Sequence, residues 1–369
     1  MKKTFFNLIQ EVQKEGKCSH CGGCVTFCSA INYGALELDD EGMPVFADIE
    51  KCNECGLCYA ICPQTHELDL DIREKAGWKR PFGSVISTGI ARARDEELVK
   101  KATDGGVVTA LLTRMLAAGK INGAIVSKST PHGRVPCLAR TPEDLMASAG
   151  SHFGSSQGMV EFAADYATFS PSIKALAELK ETSMNRLAFV GVPCQINTMR
   201  KMQAMGILPS DAISCYLGLF CSGNYHFGTN LFARLEDKYQ FSYKDVSKIN
   251  VKDDFIFSLK SGRQVLIPIR ELGQVRREAC NFCEDFAAEY ADISFGGLGA
   301  EQGWTTAIIR TDAGRQIYED GLATVLEAFP FEENKPHITQ AEGKILAACE
   351  QKKKMCEANL NDREKGVCL

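Results

Sequence analysis

The chain contains two cysteine runs near its N-terminus, CSHCGGCVTFC at residues 18–28 and CNECGLCYAICP at residues 52–63. Both have the spacing C-x2-C-x2-C-x3-C, and the second is followed directly by a proline. A duplicated run of this kind is typical of a segment that holds two 4Fe-4S clusters, because three cysteines bind one cubane and the fourth crosses to the other. Ser29 stands where a proline often follows the first run, which affects only the local turn.

The crossover predicts the ligands of both clusters. The two sets are Cys18, Cys21, Cys24 and Cys62 for one cluster, and Cys52, Cys55, Cys58 and Cys28 for the other. A zinc ribbon is the alternative interpretation, since isolated C-x2-C pairs also occur in zinc sites. The duplication favours the clusters, so residues 1–66 are predicted to form a ferredoxin-like domain that carries one electron at a time.

Length and composition indicate more than one domain and no membrane span. The chain has 369 residues, and no stretch approaches the ~20 consecutive apolar residues that a span requires. Residues 1–16 are interrupted by polar side chains and predict a short amphipathic helix rather than a signal peptide. With 17 cysteines, an odd number, a disulfide framework is disfavoured, and we expect a cytoplasmic protein, peripheral to a membrane complex if its partner is one.

The charge is concentrated in the N-terminal part. Residues 1–66 contain five basic and nine acidic side chains, a net charge of −4, and the whole chain has a net charge of −5. Residues 67–369 therefore contribute only −1. This balance argues against nucleic-acid binding, which needs a basic stripe. It suits docking onto a basic redox partner, although an ordinary solvated acidic surface explains it equally well.

The remaining sequence predicts a mixed domain, and the fold class is therefore α+β. Residues 67–82 are charged and are interpreted as a linker. Alternating strands and helices follow over residues 83–340, and residues 341–369 predict a C-terminal helix and tail. The individual segments are strands at 85–93, 123–129, 187–191 and within 211–223, and helices starting near Val107 and after Gly191.

Two stretches are candidates for binding a phosphate. Residues 103–106 precede a predicted helix, so Thr103 or Asp104 can cap it while the two glycines after them let backbone N–H groups approach an anion. An ordinary cap fits these residues equally well. The second stretch is the small, polar loop GSHFGSSQG at residues 150–158, which is more often a simple turn. His152 in this loop is interpreted as a loop histidine in preference to a phosphate ligand.

Four further cysteines suggest a third cluster. Cys194 and Cys221 follow predicted parallel strands, and Cys280 and Cys283 form a C-x2-C pair. Four thiolates are enough for one 4Fe-4S cluster. The alternatives are a nucleophilic Cys194 at a helix start and a zinc half-site at the pair. The other cysteines predict buried or tail thiols: Cys137, Cys215, Cys349, Cys356 and Cys368.

Residues 83–311 resemble the family of coenzyme F420 hydrogenase/dehydrogenase beta subunits. The matching stretches are TDGGVVTALL (103–112), INGAIV (121–126), GSHFGSSQG (150–158), FVGVPCQ (189–195), LGLFC (217–221), CNFCEDFAAEYADIS (280–294) and GWTTAIIRT (303–311). With its fused two-cluster module the chain is similar to the F420H2-oxidising subunits of F420H2 dehydrogenases. One departure is Gly297, where family members usually have an aspartate.

The resemblance implies that residues 83–340 bind FAD, coenzyme F420 and one 4Fe-4S cluster. The cluster ligands carried over are Cys194, Cys221, Cys280 and Cys283. The cofactor-binding residues predicted for this domain are Thr103, Asp104, Gly105, Gly106, Thr109, Gly150, Ser151, Ser155, Ser156, Gln157 and Pro193. Arg276 and Arg277, near Arg270, are predicted to hold the anionic F420 tail, with Arg200 and Lys201 as second choice.

The function implied is hydride transfer between F420 and FAD, followed by one-electron transfer through three 4Fe-4S clusters. Hydride transfer needs no acid–base pair, and the sequence predicts no catalytic residue. The implied partners are hydrogenase, formate dehydrogenase, heterodisulfide reductase-like or membrane electron-transfer complexes. The alternatives are an oxidoreductase of the same fold with another hydride donor or acceptor, and a non-catalytic electron-transfer subunit.

Overall fold

The computed structural model describes residues 2–39, 42–130, 133–150, 185–225, 229–330 and 335–364, with Ile173, Ala175, Leu176 and Glu178 between them. Its cysteine-rich N-terminal part consists of short helices and one hairpin. These are α1 (Phe5–Leu8), continued by a π-helical turn at Ile9–Gln13, α2 (Gly23–Val25), continued by a π-helical turn at Thr26–Asn32, the antiparallel strands β1 (Leu36–Leu38) and β2 (Pro44–Phe46), and α3 (Leu57–Ala60).

The two cysteine runs adopt the same local backbone. Gly22 before α2 and Gly56 before α3 have φ angles of 81° and 76°, in the left-handed region that glycine adopts without steric cost. Each run can therefore turn sharply between its second and third cysteine. The rings of Phe5 and Phe46 pack edge to face, with their centroids 4.8 Å apart. This contact joins the N-terminal helix to the hairpin.

The stretch predicted as a linker is folded onto the larger part of the chain. It contains α4 (Asp69–Lys75), whose Ile72 is buried. Its charged side chains make tertiary contacts, since Arg73 pairs with Glu284 at 3.1 Å and the indole of Trp78 donates to Glu289 at 2.5 Å. The prediction of a linker was wrong because these charges have partners outside the segment.

An eight-stranded mixed sheet forms the centre of the larger part. Its strands are β3 (Ser87–Ala93), β4 (Gly123–Thr130), β5 (Gly133–Ala139), β6 (Leu187–Gly191), β7 (Ile213–Leu219), β11 (Ile293–Gly296), β12 (Thr305–Ile309) and β13 (Leu326–Ala328), in the order β13-β3-β12-β11-β7-β6-β4-β5. The central strands β4, β6, β7 and β11 are parallel, and the flanking pairs are antiparallel. Because parallel strands point the same way, their carboxyl ends meet at one edge of the sheet.

A smaller antiparallel sheet and seven helices complete the fold of the described residues. The sheet has the strands β8 (Val246–Val251), β9 (Asp254–Leu259) and β10 (Gln264–Pro268). The helices are α5 (Glu96–Lys101), α6 (Val107–Ala117), α7 (Pro142–Ala147), α8 (Pro193–Ala204), α9 (Thr229–Tyr239), α10 (Asp312–Thr324) and α11 (Lys335–Glu364). None of the helices in the described part of the chain has the length and apolarity that a membrane span requires.

Apolar periodicity explains how these elements pack. In α6 the residues Val107, Leu111 and Met115 are buried and lie on one face, at the spacing of an amphipathic helix. Strand β6 buries Leu187, Ala188 and Phe189 in succession, as expected for a strand covered on both faces. The predicted strands and helices around these segments are confirmed, although α11 begins at Lys335 rather than 341.

Candidate functional site

A cavity of about 330 Å³ lies at the carboxyl edge of the parallel strands. The residues that follow β6 and β7 form one side, and the start of α6 and strand β8 of the small sheet form the other. Of the residues predicted to bind a cofactor, its walls include Thr103, Asp104, Gly106, Thr109 and Gly150. A cavity of this size at this edge is the usual place for a ligand in an open α/β sheet.

The start of α6 differs from the predicted cap. The N-cap residue is Gly106, with φ of 71°, and no side chain caps the helix, so the prediction of a Thr103 or Asp104 cap was wrong. The carboxylate of Asp104 instead accepts a hydrogen bond from the Asn250 amide at 2.9 Å. Asn250 lies on β8 and also donates to the Thr103 carbonyl at 2.6 Å, which ties the small sheet to this wall of the cavity.

Asp104 and Lys252 place opposite charges at the cavity. Burial raises the pKa of Asp104, although Lys252 and the Asn250 amide act in the opposite direction. Burial likewise lowers the pKa of Lys252, while Asp104 opposes that change. The Lys252 ammonium donates to the carbonyls of Ala300 and Glu301 at 2.8 and 3.0 Å, so two of its three N–H groups are occupied by these bonds. Sequence reasoning missed Lys252, because nothing in its local sequence links it to the cavity.

Two glycines at the cavity have packing roles that the sequence did not reveal. A Cβ on Gly297 would lie 2.6 Å from a carboxylate oxygen of Asp104, so this glycine leaves the space that Asp104 occupies. A Cβ on Gly105 would lie 2.8 Å from the Ala91 carbonyl oxygen, and its N–H donates to Thr305. Gly105 therefore fits α6 against β3, and neither it nor Pro193 lines the cavity within the described residues.

The rest of the predicted phosphate loop lies outside the described residues. This applies to Ser151, His152, Ser155, Ser156 and Gln157, and Cys368 of the tail is also outside.

Cys194, Cys221, Cys280 and Cys283 are brought together beside the cavity. Cys194 is the second residue of α8, which follows β6 after Val192. Cys221 lies two residues after the end of β7, and the C-x2-C pair lies on and directly after a 3-10 turn at Glu278–Phe282. Burial raises the pKa of the Cys194 thiol, and the other three thiols contribute in the same direction as close electrostatic neighbours. Cys221 also forms part of the cavity wall. The four cysteines thus meet where the cavity ends.

The N-terminal cysteines lie close to one another, and their division into two ligand sets stays a prediction. The electrostatic neighbours of the Cys24 thiol are Cys21, Cys18, Cys62 and Cys58, and those of the Cys58 thiol include Cys55, Cys28 and Cys52. We refer to the predicted set Cys18, Cys21, Cys24 and Cys62 as site A, to the predicted set Cys28, Cys52, Cys55 and Cys58 as site B, and to the four cysteines beside the cavity as site C. Site A also approaches site C, because Cys21 is an electrostatic neighbour of the Cys194 thiol.

The chemistry of the three sites fits iron–sulfur clusters. Burial raises the pKa of the Cys18 and Cys58 thiols to about 12, and a bound metal ion removes such protons outright. Among the described residues no three His, Cys, Asp or Glu side chains are close enough together to hold a single metal ion. A cubane places its four thiolates on different iron atoms, so wider spacing suits it better than it suits zinc.

Helix α8 connects site C to site A through one face. Cys194, Thr198 and Lys201 are spaced at i, i+4 and i+7, so they point the same way. The Thr198 hydroxyl contacts the Cys21 sulfur at 3.6 Å. The Lys201 ammonium, which is fully buried, donates to the Cys62 carbonyl at 3.0 Å and pairs with Asp69 at 2.9 Å.

This ion pair allows a test of how the cysteine module is held. Replacing Asp69 by Ala leaves the buried Lys201 ammonium without its carboxylate and is expected to cost about 3 kcal/mol. The urea midpoint of the anaerobic, cluster-loaded protein should fall accordingly. Asp71→Ala, at an exposed position on the same helix, is the control and should leave the midpoint unchanged. Equal midpoints for the two variants would contradict the role of the pair.

The predicted tail-binding cations do not line the cavity among the described residues. Arg277 is buried and donates to the Ser19 carbonyl at 2.9 Å, among the thiols of sites C and A. Arg276 contacts the sulfur of Met355 at 2.7 Å and stacks 5.7 Å from the Tyr225 ring centre. Neither guanidinium lines the cavity in the described structure. The placement favours Lys252 over these arginines as the cation for a ligand in the cavity.

Arg200 and Lys201, the second-choice cations, have partners outside the cavity, and Arg270 lies on the surface. Arg200 pairs with Asp292 at 3.2 Å and stacks on Tyr216 at 4.0 Å. Arg270 is exposed on the surface.

Comparison with known proteins identifies the family. Residues 184–334 match the sequence model for the C-terminal part of the coenzyme F420 hydrogenase/dehydrogenase beta subunit, and residues 89–160 match the model for its N-terminal part. The beta subunit of coenzyme F420 hydrogenase from Methanothermobacter thermautotrophicus is 30% identical over 281 residues, which are 74% of this chain and 93% of that protein. The chain belongs to this family.

Other relatives extend the similarity across the cysteine module. Residues 10–63 match a 4Fe-4S dicluster domain. One of the subunits of the F420H2 dehydrogenase from Methanosarcina mazei is 26% identical, with 84% of each chain covered. A chain of the F420-reducing [NiFe] hydrogenase complex from Methanosarcina barkeri superposes with a TM-score of 0.65 and 27% identity, covering 78% of this chain and 95% of that one. The prediction of an F420-linked oxidoreductase with a 4Fe-4S domain is confirmed.

Proposed function

We propose that this chain, as a member of that family, transfers a hydride between coenzyme F420 and FAD, and passes single electrons through three 4Fe-4S clusters to or from a partner complex. The observation that carries this proposal is the position of Cys221. Its side chain forms part of the cavity wall and also belongs to site C. A ligand in the cavity would therefore lie directly beside a cluster.

The lining of the cavity is compatible with FAD. It is lined by apolar side chains such as Val108, Phe286 and Leu298, with the polar groups of Asp104 and Lys252 at one side. FAD, when bound, exchanges a hydride with a deazaflavin and single electrons with a cluster. The apolar walls would exclude water from the transferred hydride, and Lys252 would attract a phosphate or carboxylate. Thr103, Gly106, Thr109 and Gly150 would contact the bound cofactor.

Sites C, A and B form the proposed route for electrons. Site C borders the cavity, and site A approaches site C at Cys21 and Cys194. Sites A and B are linked in sequence, because each takes its fourth predicted ligand from the cysteine run of the other. Site B lies near solvent, since Asn53 and Glu54 beside its cysteines are exposed. A partner of the hydrogenase, formate dehydrogenase, heterodisulfide reductase-like or membrane-complex type would then exchange electrons at site B.

The content of the purified protein tests this assignment. Protein prepared anaerobically should hold about twelve iron atoms, from three cubanes, and about one noncovalent FAD per chain. A content of about eight iron atoms per chain would contradict the assignment of a cluster to site C. Full iron without flavin would favour an electron-transfer subunit. Full cofactor content without F420 turnover would favour a different hydride donor or acceptor.

Lys252 should affect the binding of the anionic substrate. Lys252→Gln is expected to weaken it by on the order of 1–3 kcal/mol, because a charged hydrogen bond is lost. Since burial lowers the pKa of Lys252, wild-type affinity should fall as pH rises, starting below the ordinary lysine value of ~10.4. KM for reduced F420, measured from neutral to alkaline pH with an artificial one-electron acceptor, reports both effects.

The control for this measurement is Lys260→Gln, at an exposed position. Its KM should follow the wild type at every pH. A Lys252→Gln enzyme with the KM and pH profile of the wild type would show that Lys252 does not contact the substrate.

A further inference from the structure

The C-terminal helix α11 covers site C. Its Asn359 amide donates to the Asn281 carbonyl at 3.1 Å, between the two cysteines of the C-x2-C pair. Arg363 pairs with Glu278 and stacks 4.6 Å from the Phe282 ring centre. The helix begins at Lys335, immediately after the match to the family's C-terminal domain ends at residue 334. It therefore supplies side chains to site C from outside the matched domain.

Lys352 of this helix places a buried positive charge at site C. The residue is only 5% exposed. Its ammonium donates to the main-chain carbonyl of Cys221 at 2.7 Å and to that of Asp285 at 2.9 Å. Cys356, one turn later on the same face, is also buried and lies near Cys283. The ammonium is thus held at the backbone of Cys221, a predicted cluster ligand, and at the backbone of Asp285, two residues after the predicted ligand Cys283.

A fixed cation at this position has a defined effect on a cluster. Each electron added to a cubane makes it more negative, so a nearby positive charge stabilises the reduced form. The attraction is stronger in a buried site than at the surface because the local dielectric constant is lower. The hydrogen bonds of the ammonium go to backbone carbonyls, which carry no net charge, and the Asp285 carboxylate is a charged neighbour as well.

We propose that Lys352 raises the reduction potential of the site C cluster and that α11 is an integral part of that site. This inference rests on the proposed third cluster. It makes Lys352 a positioning residue that acts on the cluster through its charge and does not touch the substrate. The reduced form of the site C cluster, beside the cavity, would be more stable with the Lys352 charge of α11 than without it.

The test is an EPR-monitored redox titration of the flavin- and cluster-loaded protein. In Lys352→Gln the ratio of reduced to oxidised site C cluster at a fixed potential should fall at least tenfold, a shift of about 59 mV for a one-electron couple. Lys352→Arg keeps the charge and should titrate close to the wild type. Lys354→Gln, at an exposed position on the same helix, should leave all three potentials unchanged.

The outcomes separate this inference from the proposed function. If the wild type shows only two clusters, the proposed function itself fails. A third cluster whose potential is the same in Lys352→Gln and in the wild type overturns only the role of Lys352. If Lys352→Gln loses the site C cluster, the Lys352→Arg variant decides. A cluster retained at the wild-type potential in Lys352→Arg supports the role of the positive charge, and loss of the cluster in both variants overturns that role.

Discussion

Replacing Cys194 by Ser should lower the iron content from about twelve to about eight atoms per chain, because one cubane loses a ligand. Electron transfer from reduced F420 to an acceptor that docks at the N-terminal module should fall to background. The reason is positional: Cys221 of site C forms part of the cavity wall, and Cys194 has Cys21 of site A among its electrostatic neighbours. Iron analysis together with acceptor reduction measures both effects.

The flavin step should survive in the Cys194 variant. Reduced F420 should still bleach bound FAD, since hydride transfer does not require a cluster. Cys137→Ser is the control, because Cys137 lies on the edge strand β5 and is not a predicted ligand. Full iron and full acceptor reduction in Cys194→Ser would rule out the third cluster as the exit from the flavin.

Filling the cavity should remove the flavin without removing iron. Val108 lies in the first turn of α6 and forms part of the cavity wall. A tryptophan there would occupy space that the ligand needs, because such sites bury most of a ligand's surface. We expect at least a tenfold loss of FAD affinity, about 1.4 kcal/mol, with iron near the wild-type content. Flavin released on denaturation, compared with total iron, gives the result.

Ala117→Trp controls for adding a large side chain to this helix. Ala117 is exposed at the far end of α6 from the cavity. Its flavin content should equal that of the wild type. Normal flavin content in Val108→Trp would show that FAD binds elsewhere, and loss in both variants would indicate damage to α6 instead of a filled site.

Local sequence patterns predicted much of the fold because they act over short distances. The cysteine spacing predicted that the two N-terminal runs come together, and Cys24 of the first run has Cys62 and Cys58 of the second among its electrostatic neighbours. The apolar runs around β6 and β7 predicted parallel strands, and their carboxyl ends place Cys194 and Cys221 together. These predictions start from periodicity or spacing that can be read within single segments.

The partners of polar side chains could not be read from the sequence in the same way. Asp104 looked like a helix cap because of its position before α6, but its carboxylate meets Asn250, which is 146 residues away. Arg277 was predicted to hold the anionic tail of a ligand, yet it reaches the Ser19 carbonyl of the cysteine module. These contacts depend on how distant segments meet, and side-chain type alone does not fix them.

The most direct test of the account is to mix the wild-type protein, without any partner, with reduced coenzyme F420 under anaerobic conditions. The account predicts that F420 is oxidised, bound FAD is bleached, and EPR signals of reduced 4Fe-4S clusters appear within the same chain. Protein that holds about twelve iron atoms and one FAD but leaves F420 reduced and its clusters EPR-silent would contradict it.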